Sequence, residues 1–457
     1  MAREKIETPR DFPSIEELLQ KRTLRSAVDA LPRPVAAAII KTVVASFKRK
    51  VKKGAESITS STLVDEIERQ LRYAKRKEIH RVINASGIVV HTNLGRAPLS
   101  EDLFDSVKEC LTGYSNIEFD LVDGKRGVRG VACERYLAAL SGAEDATLVN
   151  NCAAALFVVL NTLANRGRVI VSRGELVQIG GGFRIPDILK RSGARLAEVG
   201  TTNITRLADY RAEADNASMI LKVHKSNFTQ AGFTDEVDLK KLVGLGHRHG
   251  LPVVNDLGSG AVVSTARLLG YAEPSVQQSV RAGADLTCFS GDKLLGGVQA
   301  GLIIGSSDLI AKIKKNPVFR AVRVDKLVLA ALERVLSSYL SGTYRSDIKL
   351  WSILGVSISE LQRRAERVLK RLGKPTLIGI QPSRAFVGGG AMPESSLKSV
   401  ALVFSSDLNP NHLMEKFRGS NPPVLGRIED GRFLIDLKAV DESDLDTLAG
   451  IIKNVLG

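Results

Sequence analysis

Lys293 lies in the octapeptide Ser290-Gly291-Asp292-Lys293-Leu294-Leu295-Gly296-Gly297. An apolar-rich run, Asp285-Leu286-Thr287-Cys288-Phe289, leads into it, and Gln299-Ala300-Gly301-Leu302-Ile303-Ile304-Gly305 follows it. Both flanking runs read as buried strands. A lysine among glycines between two strands is either an exposed turn residue or a desolvated amine. Desolvation favours the neutral amine, the form that makes a Schiff base with a carbonyl compound. Other residues must decide between the two. Asp256 ends the apolar run Leu251-Pro252-Val253-Val254-Asn255 and precedes Leu257-Gly258-Ser259-Gly260. It can cap the next helix or, facing a cleft, hold a pyridinium nitrogen. Asn150-Asn151-Cys152-Ala153-Ala154-Ala155 opens a helix with small residues, whose amides can approach a phosphate. Arg96, beside Gly95 in a glycine turn, can meet an anion or pair with a surface carboxylate.

These residues need a frame. Strands are predicted at Ala146–Val149, Val169–Ser172, Arg195–Val199, Met219–Val223 and Pro252–Asn255, with helix-length segments between them. That alternation predicts a parallel, doubly wound sheet with ligands at the carboxyl ends of its strands. No GxGxxG or Walker-A motif follows any strand, which points away from nicotinamide dinucleotides and nucleoside triphosphates. A strand-end aspartate, a later lysine preceded by Ser290, and a small-residue helix start form the pattern of pyridoxal-phosphate (PLP) enzymes of the aspartate-aminotransferase fold. Each piece alone is weak; together they favour the desolvated amine.

The chain has 457 residues, too many for one core. Four domains or segments are expected: a basic helical domain over 1–81, a catalytic domain over 82–325, a connecting helix over 326–345 and a smaller α+β domain over 346–457. Ser14 and Glu17 make a capping box. Val35 to Phe47 forms an apolar helix that ends in Lys48-Arg49-Lys50-Val51-Lys52-Lys53, with Gly54 as its cap. Thr62 to Lys77 is amphipathic, with Leu63, Ile67, Leu71 and Ala74 on one stripe. Residues 1–81 hold 19 Lys and Arg against 11 Asp and Glu, so +8 of the chain's net +15 sits there. Lys48, Arg49, Lys50, Lys52 and Lys53 are a solvated helix end or a phosphate-backbone surface. In the last domain, Glu429-Asp430-Gly431 marks a hairpin turn. The first residues, Met1-Ala2-Arg3-Glu4-Lys5, carry both charge signs with no apolar run behind them, unlike a secretory signal. No stretch is long enough to span a membrane. Cys110, Cys133, Cys152 and Cys288 are scattered without a CxxC pair, and the six histidines form no ligand cluster. A cytoplasmic protein with no metal site is expected.

With these residues in place, the chain resembles the bacterial selenocysteine synthase family, the L-seryl-tRNA(Sec) selenium transferases, over nearly its whole length. The resemblance is carried by Arg81-Val-Ile-Asn-Ala-Ser-Gly87, Thr92-Asn-Leu-Gly-Arg-Ala-Pro-Leu-Ser100, Gly113-Tyr-Ser-Asn116, Ser172-Arg-Gly-Glu-Leu-Val177, Phe183-Arg-Ile-Pro-Asp187, Val199-Gly-Thr-Thr-Asn203, Lys222-Val-His-Lys-Ser-Asn-Phe228 and the Lys293 octapeptide. The chain departs from the family's pattern at Cys152, where an asparagine is expected, and at Val298, where a proline is common. The resemblance implies a PLP-dependent transferase of fold type I. Its reaction would turn L-seryl-tRNA(Sec) into L-selenocysteinyl-tRNA(Sec), by β-elimination to an aminoacrylyl intermediate and addition of selenium from selenophosphate. It further implies that Lys293 carries PLP and Asp256 pairs with its ring nitrogen. Asn151, Cys152 and Ala153 would meet the cofactor phosphate with help from Ser290, and His224 would lie nearby. Asp292 would orient groups or move a proton. Arg96, Arg320 and Arg323 would bind the selenium donor's phosphate. The basic N-terminal domain would bind the tRNA body, with no DNA or membrane partner, and the protein would be a homo-oligomer of dimers in a ring, a decamer. Two rival readings remain: a PLP lyase of a small amino acid or phosphorylated amino sugar, and a tRNA-binding protein with an inactive PLP-fold body.

Overall fold

A computed structural model of the chain describes residues 5–53, 58–373, 376–390, 392 and 395–457. Gly54 and the N-terminal residues Met1 to Glu4 lie outside them. Contacts divide the chain into two compact units, Met1–Val82 and Ile83–Gly457.

The first unit is helical: α1 (Ile15–Gln20), α2 (Arg25–Asp29), α3 (Arg33–Lys52) and α4 (Ser60–Arg76). Ser14 and Glu17 form the reciprocal cap of α1. Pro34 stands at the start of α3, where its missing N–H costs nothing. Ile40 and Val44 of α3 pack with Leu63, Ile67 and Leu71 of α4 in one core. Burial of such side chains contributes about 1.5–3 kcal/mol each. Helix α3 ends in Arg49, Lys50 and Lys52, cations that complement the partial negative charge of its carboxyl end.

The second unit contains a seven-stranded sheet. Its strands follow β1 (Ile88–Val90) in the chain: β2 (Asp145–Val149), β3 (Arg168–Ser172), β4 (Arg195–Val199), β5 (Met219–Val223), β6 (Val253–Gly258), β7 (Leu286–Ser290) and β8 (Gly301–Gly305). The spatial order is β2-β8-β7-β6-β5-β3-β4. Six strands run the same way, and β8 runs against both neighbours. The expected all-parallel sheet is therefore mixed. The cause is local: the turn from Ser290 to Gly301 contains no helix, and without a crossover the chain must return antiparallel. Elsewhere helices supply the crossovers, among them α5 (Cys152–Leu163), α6 (Ile185–Arg191), α7 (Leu207–Ala214) and α8 (Leu239–Arg248). Helices on the faces explain why Val169, Ile170, Val171, Met219, Ile220 and Leu221 form unbroken apolar runs.

After the long helix α9 (Lys326–Leu340), capped by Asp325, a second sheet forms from β9 (Ile378–Gly388), β10 (Ser396–Phe404), β11 (Arg427–Glu429) and β12 (Arg432–Asp436). The β11–β12 turn puts Asp430 and Gly431 at φ 48° and 71°, the doubly left-handed geometry favoured between paired strands. Strand β1, from the start of the second unit, joins this sheet through Ile88↔Phe386 and Val90↔Gly388. Residues near 82–90 thus belong structurally with the C-terminal sheet. One core joins the two sheets, with Val90, Phe289, Leu294, Leu295, Leu332 and Val387 packed together. Among the described residues no helix is long and apolar enough to cross a membrane.

Candidate active site

The parallel strands end on one edge of the large sheet, and most of the expected residues lie there. Strand β2 runs into Asn150-Asn151, β5 into His224, β6 carries Asp256, and β7 ends at Ser290. Register holds these ends level, with Val223 opposite Asp256 and Asp256 opposite Cys288. Pairing slips between Asp256 and Gly258, an irregularity that re-aims side chains at a strand end.

The turn after β7 is closed by its own backbone. Gly296 N–H donates to Lys293 O at 2.9 Å, and Gly297 N–H donates to Gly291 O at 2.9 Å. Leu294 N–H donates to Ser259 O at 3.0 Å. The buried Tyr339 hydroxyl donates to Leu295 O at 2.9 Å. Leu294 and Leu295 are fully buried, so the turn is anchored by apolar packing on one side. Val298 packs against the same core, and the Gly296–Gly297 turn closes without a proline at that position.

Lys293 is 6% exposed and Asp256 9% exposed. Burial pushes the Asp256 carboxyl up to about 6, with the Lys293 charge drawing it back down. Cys152 Sγ lies 3.7 Å from Asp256 Oδ1. Burial, with the neighbouring Asp256 charge, pushes that thiol up, so it faces the carboxyl as a neutral S–H donor. Asn151 caps α5, accepting from Ala154 N–H at 2.9 Å through its side chain. The amides of Cys152 and Ala153 are left at the helix start without intrahelical partners.

Arg96 reaches the same place from the segment after β1. Its Nη1 donates to Asp292 Oδ2 at 2.7 Å, and Ala97 N–H donates to Asp292 O at 3.2 Å. Arg96 holds φ 65°, a left-handed conformation rare for a side-chain-bearing residue. Asp292 Oδ1 is buried and without a partner.

Arg320 and Arg323 line a cavity of about 430 Å³ with Arg129, Lys314, Lys315 and Glu118, and Val322 O between them accepts from Asn150 N–H at 2.9 Å. Arg323 Nη1 is 3.3 Å from Glu118 Oε1, a carboxyl that Arg129 holds at 2.8 Å and keeps below the usual carboxylate range.

Three features of the cleft are not among the expected residues. The first is Gly388-Gly389-Gly390, delivered by β9. A Cβ on Gly390, whose φ is 88°, would lie 2.8 Å from Lys293 Nζ, so this glycine lets the backbone close over the amine. The second is Glu175, fully buried, which accepts from Val223 N–H at 2.9 Å and from Lys222 Nζ at 2.7 Å, fixing the strand end that carries His224. The third is Glu273, buried beside His224. The glycine triplet was visible as a motif; the two glutamates carry no local signal, because their partners are tens of residues away.

The cleft fits PLP. It offers a buried amine under a glycine roof, a buried carboxyl to pair with a ring nitrogen, and helix-start amides with the Ser290 hydroxyl for a phosphate. Among the described residues no cluster of side chains suits a metal ion. Cys110, Cys133, Cys152 and Cys288 are free thiols.

Comparison with known proteins agrees with this chemistry. The solved structure of a D-glucosaminate-6-phosphate ammonia-lyase is 18% identical, covers 82% of this chain and 96% of its own, and superposes with a TM-score of 0.60, showing a shared fold. The L-seryl-tRNA(Sec) selenium transferase of Aquifex aeolicus is 43% identical over 91% of this chain and 92% of its own. The protein of that name from Geotalea daltonii is 42% identical over 98% of this chain and 99% of its own. The family model described as L-seryl-tRNA selenium transferase matches residues 82–441. The chain belongs to the L-seryl-tRNA selenium transferase family.

Proposed function

We propose that the Lys293 cleft carries out the family's reaction, the conversion of L-seryl-tRNA(Sec) to L-selenocysteinyl-tRNA(Sec), with selenophosphate as selenium donor. The supporting observation is the buried Lys293 amine facing the buried Asp256 carboxyl at the strand ends, in a chain 42% identical to a selenium transferase over 98% of its length. PLP, when bound, supplies the electron sink that makes a seryl Cα–H bond acidic.

The residues divide the remaining work. Lys293 holds the cofactor and, as an amine, takes the Cα proton. Asp256 pairs with the cofactor ring nitrogen, with the Cys152 thiol beside it. The amides of Cys152 and Ala153, at the start Asn151 caps, and the Ser290 hydroxyl bind the cofactor phosphate. Asp292 anchors Arg96 through Nη1 and leaves the rest of the guanidinium to the selenium donor's phosphate. Net, the seryl β-hydroxyl would leave as water and selenium would bond to Cβ, with the Se–P bond of the donor broken and its phosphoryl group passed to water as phosphate.

Arg320 and Arg323 serve the same phosphate from another copy of the chain. Arg96 is not among the residues lining their cavity, which supports this reading. A ring of dimers, a decamer, is the assembly proposed. Residues 1–81 bind the tRNA body. Arg49, Lys50, Lys52 and Lys53 are exposed, Lys48 is half-buried, and among the described residues none of the five is in an ion pair. The cytoplasm, where tRNA is charged, is the proposed location.

One assay tests the substrate. Incubation with seryl-tRNA(Sec) and selenophosphate is expected to give selenocysteinyl-tRNA(Sec), and free serine with selenophosphate no product. Turnover of free serine at a comparable rate would favour a small-molecule lyase instead.

A further inference from the structure

Glu273 sits in the connection between the short helices Thr265–Leu269 and Val276–Arg281. Its own N–H donates to Thr265 Oγ1 at 2.8 Å, which fixes the backbone there. Its side chain is 5% exposed, and Oε1 is buried without a hydrogen-bond partner. A buried, unpaired carboxyl oxygen is costly, and packing alone does not require one. Oε1 lies 3.7 Å from His224 Nδ1.

The imidazole explains the arrangement. His224 Nδ1 is 3.2 Å from Leu257 O. A carbonyl oxygen only accepts, so Nδ1 carries the hydrogen, with the Glu273 carboxyl beside it. The opposite nitrogen, Nε2, is then the proton-accepting atom of the neutral ring. The charged groups facing Glu273 are His224, from the end of β5, and Lys293, from the turn after β7. Burial pushes the Glu273 carboxyl up, and His224 draws it back. The Ser259 hydroxyl and the Met392 amide, its other polar neighbours, also draw the carboxyl down.

We propose that Glu273 is a positioning residue for the transferase reaction: together with Leu257 O it holds the Nδ1–H side of His224 and leaves Nε2 as the ring's proton-accepting atom. The inference rests on reading the Lys293 cleft as the active site.

The test uses the full-length wild type, Glu273→Gln, Glu273→Met, His224→Asn and the Glu273→Gln/His224→Asn double variant. The first readout needs no cofactor: carbethoxylation of His224 by diethylpyrocarbonate at pH 6, followed by peptide mass spectrometry. The reagent attacks the ring nitrogen left free, so loss of the carboxyl that holds the ring changes the modification rate about threefold in both neutral variants. The second uses PLP-loaded enzyme. Glu273→Gln lowers kcat about tenfold or more, with KM for seryl-tRNA(Sec) within about twofold of wild type. In the His224→Asn background it adds no further loss, because Glu273 acts through that ring. An unchanged carbethoxylation rate, or losses that multiply fully in the double variant, overturns the proposal. Failure of both neutral variants to fold assigns Glu273 to the scaffold and overturns it as well. A wild type that turned over no seryl-tRNA(Sec) would instead sink the proposed function and leave the carbethoxylation comparison standing.

Discussion

The Lys293 cleft and the Lys48–Lys53 run both depend on cations, and they place them in opposite ways. Lys293 is 6% exposed, faces Asp256, and lies in a turn that backbone hydrogen bonds tie to Ser259 and Ala97. The run at the end of α3 has four of its five cations exposed, follows one helix, and is positioned by the helix alone. A buried amine works through fixed geometry in low dielectric, where one displaced neighbour changes its chemistry. An exposed cluster works through summed charge, which salt screens and which tolerates single losses. The two regions should therefore fail differently under mutation.

The largest expected effect is at Lys293. Lys293→Ala removes the visible absorbance of the lysine-bound cofactor and lowers turnover by at least about 10³-fold. An unchanged absorbance band would remove Lys293 from its role. Asp256→Asn comes next, with turnover reduced by about 10²-fold or more. It carries an opposite effect on stability in the cofactor-free protein. The folded carboxyl titrates at about 6, above its unfolded value of about 3.9. Between those values the folded state holds the extra proton, so stability falls as pH rises through that window and is flat above it. Asp256→Asn is accordingly expected to raise cofactor-free stability at pH 8 by up to about 3 kcal/mol and to leave it unchanged near pH 4. Denaturant titration at both pH values checks this.

Neutralising Lys50, Lys52 and Lys53 together sharpens the other side of the comparison. Affinity for tRNA is expected to fall about tenfold or more, and the slope of log K against log salt to become shallower by about one for each phosphate left without its cation. The cofactor absorbance should not change. Any one of the three substitutions alone should have a much smaller effect. A local change is expected at Gly390. Gly390→Ala forces a left-handed φ on a residue with a Cβ, costing about 1–2 kcal/mol, and crowds Lys293 Nζ. PLP retention during dialysis is expected to weaken about tenfold, with tRNA affinity unaffected.

Much of this contrast is legible in the residues. Apolar runs such as Met219–Val223 and Leu286–Ser290 announce buried strands, and Ser14, Ser100 and Asn151 announce the helix starts they cap. Lys293, Asp256 and the Asn151–Ala153 helix start are strand-end features with local signatures, and they meet in the cleft. The direction of β8 does not follow from the strand–helix alternation, although the helix-free turn before it is plain in the chain.

The elements, the charge of the N-terminal unit and the family are written in short stretches of the chain. Those follow from interactions within a few residues and from motifs that survive as strings. Only the tertiary structure decided the neighbours. It carried β1 into the C-terminal sheet, laid Gly390 over Lys293, set Glu273 beside His224, and brought Arg320 and Arg323 to one cavity with Glu118. These pairings join residues tens to hundreds of positions apart. Strand register and core packing select them, and neither is encoded in any short stretch of chain.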